Sequence, residues 1–212
     1  MKISGAGWVE NETYGAVRKS ICGNYIRRSD LYRSLLERKI LAESTSKFGR
    51  FNRSTQQAFC AAALALHDAD FPPSTPLRTG QTSKDWKHVG LIGTGQDECT
   101  PANQAYFADY AENGRRMARA NLFIYTLPTS SLAEIAIHFK LDGPLFYTSE
   151  HVLPAANRLL GDDPSHVLAF WSEKSFTAAL LLSSEEAMDL ERFHAFEKPE
   201  QLIRFLTAEG CG

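Results

Sequence analysis

The segment that most restricts the fold runs from Ser54 to Asp70, where Ala58, Ala61, Ala62, Ala65 and Ala69 recur at helical spacing. Residues three and four apart share a face of an α-helix. The predicted helix therefore carries a face of small side chains alone, which gains from burial only by packing closely against a sheet or a second helix. Ser54 and Gln57 stand in the positions of a capping box, and Phe71-Pro72-Pro73 stops the helix.

The elements around it predict the partner surface. Residues 2–9 read as a short strand, Ser29 to Leu41 as a helix with Leu31, Leu35 and Leu36 on one side, and Lys47 to Arg53 as a polar connector. Pro72 to Asp85 reads as a loop, and His88 to Gly95 as a buried apolar strand. Thr100 caps a helix that runs to about Glu112, with Pro101 in its first turn. Ser131 and Glu134 form a second capping box, opening a helix through Phe139 with Leu132, Ile135, Ala136 and Phe139 as its apolar stripe. A strand (Leu145 to Thr148), a short helix (Leu153 to Leu160) and a hairpin of two apolar strands (166–172 and 176–182) follow. Two helices, Glu185 to Phe193 and Pro199 to Thr207, close the chain. Strands separated by helices and then a hairpin imply an α/β sheet with an antiparallel edge strand.

Composition excludes several classes. The net charge of −2 leaves no basic excess to neutralise phosphates, so nucleic acid is not an expected partner. The longest apolar run, Phe59 to Leu66, is too short for a membrane span. With 43% hydrophobic and 23% charged residues, 212 residues suffice for a core without disulfides. Cys22, Cys60, Cys99 and Cys211 are widely spaced, with no C-x-x-C pair, and residues 1–20 hold no apolar signal core, so a reducing, cytoplasmic setting is expected. Six histidines show no metal-binding spacing, and neither Gly90 to Gly95 nor Gly5-Ala6-Gly7 meets the pattern of a nucleotide loop, so no metal or cofactor is expected.

Five stretches in order carry a family resemblance. They are Lys47 to Ala69 (KFGRFNRSTQQAFCAAALALHDA), His88 to Gly95, Asn103 to Tyr110 followed by Gly114, Thr126 to Thr148 (TLPTSSLAEIAIHFKLDGPLFYT), and Ala178 to Ser183. Together they resemble the first half of the β-ketoacyl synthases of the thiolase superfamily, over roughly residues 1–183. The resemblance implies a single βαβαβαββ half of the thiolase architecture, a mixed and mostly parallel sheet flanked by helices. Residues 1–183 would form that unit, and residues 184–212 a helical extension packed on or beside it. In the family, a nucleophilic cysteine follows the Gly-Pro of the fourth stretch, here Gly143-Pro144, and two catalytic histidines come from a second half. Ser149-Glu150-His151-Val152 stands where the cysteine elbow is expected, and the family position falls at His151 or Val152. The chain stops at Gly212, about where the family begins its second half.

A valine or an imidazole cannot hold an acyl chain as a thioester. The low-ranked nucleophile candidates are therefore Ser149, with Glu150 and His151 beside it, and Cys99, which stands in a polar loop before a helix whose N-terminus would lower a thiol pKa. Ser149 and Glu150 equally suit a helix cap, and Arg115, Arg116 and Arg119 a surface for an acidic carrier protein. The expected function is a non-catalytic, chain-length-factor-like accessory subunit in fatty-acid or polyketide-type (polyene lipid) synthesis. Its expected partners are a ketosynthase subunit and an acyl carrier protein, or a second copy. An acyl-transfer or thioester-handling enzyme and an acyl-chain or small-molecule binding protein are the alternatives. A lone thiolase half also has a helix layer to cover. A second chain is the favoured cover, and the C-terminal helices, through Leu202, Ile203, Phe205 and Leu206, are the other choice.

Overall fold

The computed structural model describes residues 1–71, 88–95, 99–114, 119–161, 163–173, 175–184 and 196–209. The predicted loop Pro72 to Asp85 and the whole of the predicted helix Glu185 to Phe193 lie outside them. In chain order the described elements are β1 (Lys2–Glu10), β2 (Thr13–Ala16), β3 (Ile21–Asn24), α1 (Arg28–Glu37), a single 3-10 turn (Phe48–Arg50), α2 (Arg53–Asp68) and β4 (Val89–Gly95). There follow α3 (Thr100–Asn113), α4 (Ala120–Ile124), α5 (Thr129–Phe139), β5 (Leu145–Tyr147), α6 (Val152–Leu159), β6 (His166–Glu173), β7 (Phe176–Ser183) and α7 (Pro199–Glu209).

The strands form one seven-stranded mixed sheet in the order β3-β2-β1-β7-β6-β4-β5. Five of them (β1, β3, β4, β5 and β6) run one way and β2 and β7 the other, as the pairings require. The mixed α/β class therefore stands, with one correction. The antiparallel strand of the final hairpin is not an edge: β7 lies between β1 and β6 and pairs antiparallel with both. Its burial on both faces explains why FTAALLLS reads as a continuous apolar run. Two strands, β2 and β3, also extend the sheet beyond the elements expected from sequence.

Both faces of the sheet are covered. On one, Val9, Leu91, Leu168, Ala179 and Leu181 pack with α2 and with Leu132 and Ile135 of α5. On the other, Ala6, Val167, Ala169, Trp171, Leu180 and Leu182 pack with Val152, Leu153 and Ala156 of α6 and Leu202 and Ile203 of α7. Alternate residues of each strand thus serve opposite layers, the period-two geometry of a strand. Leu202 and Ile203 are 0% and 4% exposed, with Phe205 and Leu206 packed against the same cluster. The C-terminal helix α7 thus packs on this face of the sheet, in the layer to which α6 also belongs.

The alanine face of α2 does what its spacing predicts. A Cβ added at Gly7 of β1 would stand 2.5 Å from the Ala65 amide nitrogen and 2.6 Å from the Ala61 carbonyl, so helix and strand touch backbone to backbone. The caps differ from expectation. Asn52, not Ser54, caps α2 by accepting from the Thr55 amide at 2.8 Å, and Gln57 instead donates to the Ser175 carbonyl at 3.1 Å. Helix α5 starts at Thr129, two residues early, so Ser131 lies inside it, buried, with its hydroxyl 2.8 Å from that of Thr55. Glu134 faces Lys47 at 3.7 Å. The connector Lys47 to Arg53 is not simply polar, since Phe48 and Phe51 enter the core against Phe59.

Candidate functional site

The segment expected to hold a catalytic elbow begins where α5 ends, with Lys140 in the left-handed region at φ 57°. Gly143 then passes so close to the Val89 backbone that a side chain there would collide with it. Pro144 accepts from the Leu91 amide at 2.8 Å, which sets β5 parallel to β4. The Thr148 amide donates to the Gly93 carbonyl at 2.9 Å, and the Tyr147 hydroxyl to the Gly95 carbonyl at 3.2 Å. The chain then leaves the carboxyl end of β5 for Ser149 and α6. Loops at the carboxyl ends of parallel strands are where open α/β sheets place ligands, so this is the right place for a site.

What stands there is a structural joint. His151, not Ser149 or Glu150, is the N-cap of α6, its Nδ1 accepting from the Leu153 amide at 3.4 Å. Its Nε2 lies 3.1 Å from the Phe196 carbonyl, and its ring meets Trp171 edge-on with centroids 4.7 Å apart. With Nδ1 accepting, Nε2 carries the proton and donates to that carbonyl, the neutral tautomer. The imidazole thus ties α6 to β6 and to the segment leading into α7. Val152 is 0% exposed and faces the core. Glu150 pairs with Arg158 one helix length away, both on the surface. Ser149 is exposed beside them.

Cys99 follows β4 in the chain, and its backbone helps to open α3. Its carbonyl accepts from the Asn103 amide at 2.8 Å and from Asn103 Nδ2 at 3.1 Å, opening α3. Cys60 is enclosed in the core, where burial pushes its thiol far up. Of the predicted basic cluster, Arg115 and Arg116 lie outside the described residues. Arg119 is committed to Asp109, its Nε and Nη2 donating at 2.9 and 2.7 Å. Among the described residues no group of three or more His, Cys, Asp or Glu is placed to hold a metal, and no helix is long and apolar enough to cross a membrane.

The feature that sequence reasoning missed lies between residues 107 and 146. Phe107, Tyr110, Phe123, Ile124, Leu127, Ile137 and Phe146 are all exposed, and Ile26 is the other large apolar side chain exposed among the described residues. Helix α3 is inside out: Asp109 is its buried residue, while Phe107 is 64% exposed. Tyr106 gathers the aromatic rings, with centroids 5.7 Å from Phe107, 6.4 Å from Tyr110 and 5.4 Å from Phe123. The same stretch ends in β5, an edge strand of the sheet, whose Phe146 is half exposed. The signal was present as apolar residues on both sides of an acid–arginine pair.

No protein-family model and no curated protein sequence matches the chain. Solved structures do. A structure of a ketosynthase (ApeO) in complex with its chain length factor (ApeC) from Xenorhabdus doucetiae aligns with a TM-score of 0.58 at 12% identity, covering 100% of this chain and 91% of the matched one. It has the fold of the ketosynthases and chain length factors. The ishigamide ketosynthase/chain length factor aligns with a TM-score of 0.57 at 15% identity, over 87% of this chain. A beta-ketoacyl synthase from Burkholderia phymatum STM815 aligns with a TM-score of 0.52 at 16% identity, over 92%. This chain spans 62% and 60% of those two proteins. The matched chain of the Xenorhabdus complex, by contrast, is of nearly this chain's length.

Proposed function

We infer that the chain is a non-catalytic, ketosynthase-like subunit that pairs with a ketosynthase in polyketide-type or fatty-acid-type synthesis. The observation that carries it is the exposed apolar stretch from Phe107 to Phe146 on and beside a sheet edge. Concentrated exposed apolar side chains mark protein interfaces, and an unpaired strand edge offers a ready row of backbone donors and acceptors. A ketosynthase with its chain length factor, with one chain of matching length, supports the choice of partner. The state of the elbow supports the non-catalytic part. His151 and Val152 are spent on capping and core packing, and among the described residues no base is hydrogen-bonded to the exposed Ser149.

Light scattering of the chain with a candidate ketosynthase at micromolar concentration tests the pairing. A complex is expected, and Phe107→Asp with Phe146→Asp should abolish it while leaving circular dichroism unchanged. The chain and ketosynthase running as separate species would count against the assignment. Decarboxylation of a malonyl-carrier substrate by the isolated chain, above a no-protein control, would remove the word non-catalytic.

A further inference from the structure

Helices α3 and α4 lie together with a buried carboxylate inside and aromatic rings outside. Asp109 is the buried residue of α3. Its carboxylate accepts from Arg119 Nε at 2.9 Å, Arg119 Nη2 at 2.7 Å, the Arg119 amide at 3.3 Å and Asn113 Nδ2 at 3.1 Å. Arg119 immediately precedes α4, so this carboxylate sets where α4 begins. A second tie lies at the other end. Asn103, in the first turn of α3, donates from Nδ2 to the carbonyl of Thr126, just beyond α4, at 3.4 Å.

The rings stand between the two ties. That of Phe123 lies 5.4 Å from that of Tyr106, which also meets Phe107 and Tyr110. Phe107, Tyr110, Phe123 and Ile124 are exposed, and no apolar residue of α3 is buried. A surface helix is ordinarily held by an apolar stripe turned to the core, with its charges outside. Here the apolar side chains are the ones outside. What fixes α4 against α3 is therefore chiefly the hydrogen bonding of Asp109 and Asn103.

We propose that Asp109 is the positioning residue of the docking face: acting through Arg119, it holds α4 against α3 so that Tyr106, Phe107, Tyr110 and Phe123 meet a ketosynthase as one ready-made ring surface. This rests on the pairing reading above and names what prepares that face. Hydrogen bonds between a carboxylate and a guanidinium are charge-assisted, and the planar guanidinium gives them direction as well as strength. They can therefore hold a fixed geometry where no apolar core does. A face fixed before binding gives up less conformational freedom when the partner arrives, which raises affinity without adding a contact. Asp109 itself is buried and touches the partner only through the residues it places.

Two measurements on the whole chain test it. In the isolated chain the ring protons of Tyr106 and Phe123 should show a nuclear Overhauser contact. Asp109→Asn and Arg119→Gln should both lose it, while the amide protection of β6 and β7 stays as in the unaltered chain. By isothermal titration, each variant should bind about tenfold more weakly to the ketosynthase that pairs with the unaltered chain, as loss of a charge-assisted pair implies. The double variant should be about as weak as either single one, because both act through the same bonds. Arg119→Lys, which keeps the charge, should recover part of the affinity. A ring contact retained in both variants, or variants that bind as tightly as the unaltered chain, would overturn the role of Asp109. If the unaltered chain pairs with no ketosynthase, the pairing reading is what fails, and the ring contact alone then decides whether Asp109 sets this face.

Discussion

Strand β7 and helix α3 show the two ways this chain spends apolar residues. Every residue of β7 is buried, Ala179 and Leu181 toward α2, and Ala178, Leu180 and Leu182 toward α6 and α7. Helix α3 buries Asp109 and turns Phe107 and Tyr110 outward. Around β7 the chain meets itself, and small residues let backbones come together. Around α3 large apolar side chains stay exposed and meet chiefly one another through Tyr106. Folding free energy therefore resides in the first region. The second is a surface whose large side chains contribute little to the stability of the isolated chain.

If that division is right, the largest losses come from filling the closed region. Gly7→Val places two methyl groups where the Ala61 and Ala65 backbone already stands. Helix α2 would have to lift off β1, at more than about 3 kcal/mol. Since domains are stable by only about 5–15 kcal/mol, chemical denaturation should show a lowered midpoint or no folded baseline. Ile135→Asp, which puts a carboxylate at a fully buried position against Leu91 and Leu132, should be equally severe. A normal midpoint for either would mean that the α2 and α5 layers are not closely packed.

Next in size is Asp68→Ala. The buried Asp68 carboxylate accepts from the Ala6 amide at 2.9 Å, the Arg18 amide at 3.1 Å and the Lys19 amide at 2.8 Å. It anchors β1 at Ala6 and the β2–β3 turn to the end of α2. Leaving the buried Ala6 amide without a partner should cost about 3 kcal/mol, measurable as a shift in urea midpoint. Amide exchange should accelerate first at residues 17–20.

How much of this was legible follows the range of the interactions. Helix α2, the stripe Leu132, Ile135, Ala136 and Phe139, strand β4 and the β6–β7 pair were readable because their signals repeat within a few residues. Strands β2 (TYGA) and β3 (ICGN) were not, being four residues each with a glycine and too short to show alternation. They are held by Tyr14, buried in the core with its hydroxyl 2.9 Å from that of Ser34. The Ser54–Gln57 box failed because Gln57 found a carbonyl 118 residues away. The His151 cap was hidden for the same reason, its second partner being Phe196, 45 residues on. The open face went unread although its apolar residues were in view, because periodicity tells which residues share a side, not whether that side meets the chain.

A smaller, local effect should separate α3 from the rest. The Arg119 guanidinium hydrogen-bonded to Asp109 holds its carboxyl below the usual range. A depressed folded pKa stabilises fully above the unfolded value, near pH 3.8, and its contribution is lost as pH falls through the lower folded value. Hydrogen exchange at 100–124 should therefore rise in acid below about pH 4 while β6 and β7 stay protected. Asp109→Asn should produce the same pattern at neutral pH. Acid exchange rising equally in β7 would show that α3 and the core unfold together and that the two regions are not separable.

The smallest effect on the isolated chain is the one that decides what the open region is for. Phe107 is 64% exposed and Phe146 51%, so replacing either with Asp removes little buried area and leaves no cavity. Surface changes of this kind usually stay within about 0.5 kcal/mol. The unfolding midpoint of Phe107→Asp should match the unaltered chain, and Phe146→Asp should differ from it only slightly. A large loss of stability would mean that the ring is part of the fold. If altering it costs the monomer nothing, an apolar surface beside β5, the last strand of the sheet among the described residues, has the character of an interface. Stability unchanged with association lost is the pattern that a docking face gives and a packing face cannot.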